Sequence, residues 1–434
     1  MIIDPSYRLA DVDMTNNSKH NRVALRFDSK VYNPPNWKKY DMRVRPSLWY
    51  NGYDGVKYGF VLSGDYLNTK HVFELDFWLS SGMGQSYIKN IVIGSRSAEQ
   101  MYNNVSFVLD YRTSLHRYIK KSNVYAQLKS LDGLDALLLG LEKKSNNDKT
   151  RFYTHVKGML RDVPQEMIYL INSKEWGLQK VNSAIHAGME HTYRYKRGIG
   201  NILFNMRAAA FTNDYDYSAA TLTSVNRNDI GKIALNTRVF AQIGFGTRLP
   251  SESMLFAAGA NNEELMNNKY TRSMGIINPN WGNFDIVTNH FTAGGGLGLR
   301  GYSGYLLPIV NKDGTVTYAY KGTTGASVSA ELEFGKVFSR LNPKFLKNSI
   351  KIQPYLFADA GMINTNTPGK PTVMSDVMMD AGIGSTLNIV RWGPLYGLKP
   401  LVIRIDFPLF INKLPYAETN YVQFRWMIGI NKAF

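Results

Sequence analysis

The sequence predicts an all-β fold, a transmembrane antiparallel β-barrel of about sixteen strands, and three observations carry that prediction. Apolar and polar residues alternate with a period of two through one segment after another, as in a strand with one greasy and one polar face. No apolar run approaches the roughly 18 residues that a spanning helix needs; the stretch from Ala136 to Leu141 is typical, and Gly140 interrupts it. Aromatic residues bracket the candidate strands, among them Trp49, Tyr50, Tyr58, Trp78, Tyr193, Tyr195, Trp392 and Tyr421, where a bilayer interface favours them. Alternation alone also suits a soluble sandwich, and aromatics have ordinary β-propensity, so the weight falls on the combination. From Asp41 to Phe434 there are about 25 residues for each of sixteen strands, against roughly 9 to 11 needed to cross a bilayer.

In chain order, residues 1–40 read as a lead-in, linker or plug. Asn33-Pro34-Pro35-Asn36 breaks it, and Arg22 to Tyr32 is either an extra strand or a segment entering the lumen. Residues 41–434 form the barrel. Phe73, Leu75, Phe77 and Leu79 alternate with Glu74 and Asp76; Ile233, Leu235, Val239, Ala241 and Ile243 with Asn236, Arg238 and Gln242. Ala326, Val328, Ala330, Leu332 and Phe334 oppose Ser327, Ser329, Glu331 and Glu333, and Ile352, Leu356 and Ala358 oppose Gln353, Tyr355, Phe357 and Asp359. Ile403, Ile405 and Phe407 flank Arg404 and Asp406. Charges thus recur mid-strand, on one consistent face. The last strand runs from Val422 through Trp426, Ile428 and Ile430 to Phe434, and its terminal aromatic resembles the recognition signal of bacterial outer-membrane barrels. That resemblance implies a secretory leader, and Met1-Ile2-Ile3-Asp4-Pro5 is none, because a basic cluster and an apolar core are both absent from it. A signal peptide and an N-terminal, periplasmic domain are therefore expected upstream.

Composition narrows the chemistry. The 434 residues contain no Cys, which excludes a disulfide framework, a Cys nucleophile and a thiolate metal site. The net charge of +17 is scattered in small clusters such as Lys38-Lys39, Lys120-Lys121 and Lys143-Lys144, a distribution that suits loops and lumen better than a nucleic-acid track. Tyr193-Arg194-Tyr195-Lys196-Arg197 reads as a barrel rim before it reads as a nucleic-acid or lipid-phosphate site. His186, Glu190 and His191 lack zincin order and lie on a strand, where residues four apart are distant. No metal, cofactor or catalytic site is expected.

Phe291 to Tyr302 contains Gly296-x-Gly298-x-x-Gly301, formally a dinucleotide fingerprint, but no helix opens after it, as that site requires. Leu299-Arg300-Gly301-Tyr302 instead resembles the tip of the sixth extracellular loop in the BamA/TamA/two-partner-secretion superfamily of outer-membrane insertases and translocases. Ala330-Glu331-Leu332-Glu333-Phe334 is similar to the twelfth strand of that family, Phe357-Ala358-Asp359-Ala360-Gly361 to the F-x-D-x-G motif of the thirteenth, Gly393-Pro394 through Pro408 to the fifteenth, and Gln423 to Phe434 to the last. The motifs span roughly the C-terminal two fifths of the chain in family order. The resemblance implies a loop folded into the lumen, with Arg300, Gly301 and Tyr302 locked against Glu333 and Asp359 and with Gly294, Gly295, Gly296 and Gly298 permitting close approach.

It further implies an outer-membrane protein that assists insertion or translocation of proteins, with lipid, lipopolysaccharide and outer-membrane protein clients or accessory subunits as partners. Residues 251–266 have helix-like spacing and read as a short lid. They resemble the barrels that follow gluzincin-type aminopeptidase domains in some Bacteroidota proteins, which implies an alternative: a barrel anchoring an upstream metallopeptidase-like domain without transport. A passive pore is the third reading.

Overall fold

The computed structural model describes residues 14, 22–28, 36–51, 55–83, 92–93, 96–97, 105–131, 134–161, 181–261, 263–264, 291–292, 294–302, 308–310, 316–318, 321–338, 350–365, 373–389, 401–414 and 419–430. Sixteen strands follow one another in a single antiparallel wall, each hydrogen-bonded to the next. They are β1 (Tyr40–Asn51), β2 (Gly55–Tyr66), β3 (Lys70–Ser80), β4 (Val105–Ser114), β5 (Ser122–Leu131), β6 (Leu134–Lys144), β7 (Thr150–Arg161) and β8 (Val181–Tyr195). The second half comprises β9 (Gly198–Ala209), β10 (Asp216–Ile230), β11 (Ile233–Arg248), β12 (Gly325–Glu333), β13 (Ile350–Thr365), β14 (Met378–Ile389), β15 (Leu401–Ile411) and β16 (Met427–Ile430). Among the described residues the one α-helical element longer than two residues is a single turn, Gly335–Phe338, and no helix is long and apolar enough to cross a membrane.

Alternation sorts the side chains as a membrane barrel needs. Leu137, Leu139 and Leu141 on β6, Val328 on β12, Leu356 on β13 and Ile383 on β14 are exposed on the outer face. The opposite face carries Glu142, Lys157, Arg238, Glu331, Asp359 and Asp406, all buried. A soluble protein would show the reverse, since exposed apolar and buried ionic faces are stable only where hydrocarbon lies outside and a polar interior lies within.

The wall curls around its own longest connection. The described residues of the 249–324 connection, between β11 and β12, touch the polar faces of β7 to β9 on one side and of β12 to β15 on the other, through contacts such as Lys157 with Glu263 and Arg300 with Asp359. One segment can reach the same face of so many strands only inside a cylinder.

The two edges of the wall are irregular. The last strand is assigned only over Met427–Ile430, with an isolated bridge from Phe410 to Val422 before it; Phe434 lies outside the described residues. Val23–Phe27, within the lead-in, is a strand that pairs with β1 in parallel, and Phe291–Thr292 pairs in parallel with β16. The strand alternative for Arg22 to Tyr32 is thus the one observed over Val23–Phe27.

Candidate functional site: the loop inside the barrel

The loop enters the lumen on glycine. Gly295, Gly296 and Gly298 have φ of 146°, 49° and 71°, a region that side-chain-bearing residues resist. Gly294 is exposed and outside that set. The turns bring Leu297 and Leu299 into a cluster with Phe240, Ala257, Ile363 and Ile411, and both are wholly buried. The Leu297 and Leu299 amides donate to the carbonyls of Phe256 (3.1 Å) and Ala257 (2.9 Å). Arg238 on β11 donates to the carbonyls of Gly296 (2.7 Å) and Leu297 (3.2 Å), and Ser327 on β12 adds a 2.6 Å bond to Leu297.

Arg300 begins a turn of 3-10 helix, Arg300–Tyr302, and is 2% exposed. Its Nε and Nη2 donate to the two Asp359 carboxylate oxygens at 2.7 and 2.8 Å, the bidentate fork-to-fork arrangement. Its Nη1 donates to Glu331 at 2.6 Å, and the guanidinium lies 3.9 Å above the Phe357 ring. Burial opposes its charge, but Asp359 and Glu331 outweigh that cost and hold Arg300 well above its ordinary pKa, as opposite charges close by favour the ionised form. A β-carbon on Gly301 would collide with Asp380 and Ile411, so only glycine lets the backbone pass there. The Tyr302 hydroxyl donates to Asn412 at 3.0 Å.

Of the residues the resemblance nominated, Arg300, Gly301, Tyr302 and Asp359 meet at one place. Glu333 does not join them: it accepts from Arg227 and Asn236 at 2.7 Å each. Glu331 takes its place because register sets Glu331 opposite Phe357 and Ser329 opposite Asp359, which puts the guanidinium between Glu331 and Asp359. Across the next ladder Asp380 faces Asp359 directly; it is buried, and neither carboxylate oxygen has a hydrogen-bond partner among the described residues. Trp426, Ile428 and Ile430 alternate with buried Arg425, Met427 and Gly429.

A second set of contacts, missed from sequence, holds the loop's other end. Residues 251–261 contain no α-helix: Ser251–Ser253 is a 3-10 turn, and Leu255–Phe256 pairs with Lys321–Gly322. The backbone there is spent on Leu297 and Leu299, which a lid helix would forbid. Glu252 accepts from Asn182 (2.9 Å), itself held by Tyr217 (2.9 Å). Glu263 accepts from Lys157 (2.5 Å), Arg207 (3.1 Å) and Ser253 (2.6 Å). Burial alone would raise the Glu263 pKa, yet Lys157 and Arg207 outweigh it and hold the carboxyl below its usual range, again by opposite charge. The carboxylates were visible in the sequence, but their partners lie on separate strands with no local spacing to announce them.

The other motifs separate. His186 stacks on His155 at 4.5 Å, Glu190 accepts from Arg151 and Asn201, and His191 meets Thr150. No group of three or more His, Asp or Glu arranged to hold a metal occurs among the described residues. Tyr193 and Tyr195 stack at 6.3 Å where β8 turns into β9.

No family model and no curated protein matches the chain. Among solved structures it is similar to BamA from Haemophilus ducreyi lacking POTRA domains 1-3, at 12% identity and TM-score 0.46 over 89% of this chain and 69% of that one. It is similar to CdiB from Escherichia coli at 11% identity and TM-score 0.45, over 89% and 62%. The Pseudomonas aeruginosa protein OccK2 (OpdF), in complex with glucuronate, matches at 10% identity and TM-score 0.37, over 89% and 95%.

Proposed function

We propose that this chain is a bacterial outer-membrane barrel that assists insertion or translocation of proteins, with no enzymatic step of its own. The observation that carries the reading is the Leu299-Arg300-Gly301-Tyr302 tip, drawn into the lumen and pinned by a bidentate guanidinium to Asp359 and by a third bond to Glu331. A loop fastened this way is a built part of the barrel. The loop's extent across the lumen weighs against the passive pore. The outer apolar face suits lipid, and the scattered positive charge suits lipopolysaccharide phosphates beyond it.

The test uses lipid vesicles carrying the purified barrel. An unfolded outer-membrane protein is added from urea, and its folding is followed by heat-modifiable gel mobility. Wild type should speed client folding several-fold over empty vesicles, and Arg300→Ala should lose most of that gain. No acceleration by a correctly folded wild type would overturn the reading in favour of a membrane anchor. High single-channel conductance by wild type in planar bilayers would favour the pore.

A further inference from the structure

Sixteen antiparallel strands leave β1 and β16 antiparallel to each other, so a sealed wall would have them pair directly. Among the described residues they do not; each edge instead carries a parallel piece of the same chain. On β1 the occupant is Val23–Phe27, matched residue for residue from Val23 opposite Tyr40 to Phe27 opposite Val44. The Tyr40 amide donates to the Arg22 carbonyl at 2.8 Å and the Asp28 amide to the Val44 carbonyl at 2.9 Å, so the ladder is framed at both ends. The occupant also obeys the barrel's two-faced code. Val23, Leu25 and Phe27 are 50%, 67% and 60% exposed on the outer face, while Arg26 points inward to pair with Asp41.

We infer that Val23–Phe27 is a displaceable cap, a strand lent by the chain to its own seam, which must leave before the Tyr40–Val44 edge of β1 can pair with an extended segment of alternating apolar and polar residues from another protein. The two states are mutually exclusive because each β1 backbone group has one partner on that side. Three features make the cap the weak member of the wall. It offers five pairs where β2 offers eleven. It is parallel, the less stable arrangement per residue. Among the described residues its ion pairs with β1 are Arg26 with Asp41 and Asp28 with Arg45 at 3.4 Å; the carboxylate ends are shielded, but both arginines are about a third exposed, which leaves the pairs open to screening by salt. The edge beneath is an open row of donors and acceptors once bared, the usual template for strand addition. Since β1 and β11 run the same way and β11 leads into the long loop, the cap sits at the barrel end opposite that loop.

The inference deepens the proposed function in naming the segment of this chain that guards the seam, and its test stands apart from that reading. The chain has no Cys, so Leu25→Cys with Met42→Cys, facing partners in the ladder, introduces the only thiols. The pair should close to a disulfide under mild oxidation in a heat-modifiable, folded barrel. Failure to close in folded protein overturns the cap. Next, Met42→Cys alone is offered a synthetic peptide of residues 22–28 with cysteine in place of Leu25. Capture should rise tenfold or more when Leu25→Pro, or Arg26→Glu against Asp41, is added to weaken the cap; equal capture with and without these changes overturns displaceability. In the vesicle assay the oxidised double-cysteine barrel should lose client acceleration and regain it on reduction. Equal acceleration in both states sinks the cap and leaves the insertase reading standing, whereas no acceleration by wild type sinks that reading and leaves the cap to the peptide result.

Discussion

Arg300→Ala is the most informative single change. It removes one guanidinium that makes three charge-assisted bonds, to Asp359 at 2.7 and 2.8 Å and to Glu331 at 2.6 Å, and it strands two carboxylates with side-chain exposures of 0% and 5%. Removing one partner of a buried ion pair costs about 3–5 kcal/mol, most of it the desolvation of the charge left behind. At about 1.4 kcal/mol per tenfold, release of the loop tip becomes about a hundred- to several-thousand-fold more frequent. Arg300→Lys retains the charge but loses the fork and the flat face over Phe357, so it should recover less than half of the loss. The assay is amide hydrogen exchange of residues 294–302 in detergent-solubilised protein, with heat-modifiable mobility confirming that the wall persists. A double-mutant cycle with Asp359→Ala should give a coupling above about 1.5 kcal/mol. Exchange in Arg300→Ala within about threefold of wild type would refute the reasoning, since the cost above demands far more.

Asp380→Asn should stabilise the barrel against thermal unfolding or leave it unchanged, because it replaces one of two buried acids that face each other across the ladder with a neutral amide of the same shape; a lowered midpoint would contradict that. Glu263→Gln should loosen residues 251–264 while leaving 294–302 protected, as read by exchange on the same peptides, since Lys157 and Arg207 lose their common counter-charge. The Glu263 carboxyl is held below its usual range, so its contribution is complete above the ordinary glutamate pKa and fades only as pH falls toward the depressed one. Protection of 251–264, corrected for intrinsic rate, should therefore match at about pH 8 and about pH 5. Glu333→Gln should leave loop exchange unchanged, since Glu333 bonds Arg227 and Asn236 on the wall and not the loop tip; loosening of residues 294–302 would contradict that.

The faces of the wall were legible because a period of two is a local property: Val328 and Leu332 outward, Ser327 and Glu331 inward, all follow from neighbours alone. The choice between Glu331 and Glu333 was not. The two sit on one face, roughly 7 Å apart along the strand, and the register with β13 that selects Glu331 is a property of two strands that neither one's alternation contains. The parallel partner of β1 was likewise hidden, because the amphipathic code of Val23–Phe27 says strand without saying beside what. The last strand shows the opposite failure: its alternation continues beyond the residues that ladder with β15.

The two-ended fastening of the long loop constrains the order in which the molecule is put together. Its anchors lie on strands made before it, through Asn182 and Arg207, and on strands made after it, through Glu331 and Asp359. A cylinder already sealed would have to thread the whole of that connection through its mouth, so the sheet must instead wrap a filling that is already in place. Assembly then resembles staves raised around a mandrel, with the final stave set last.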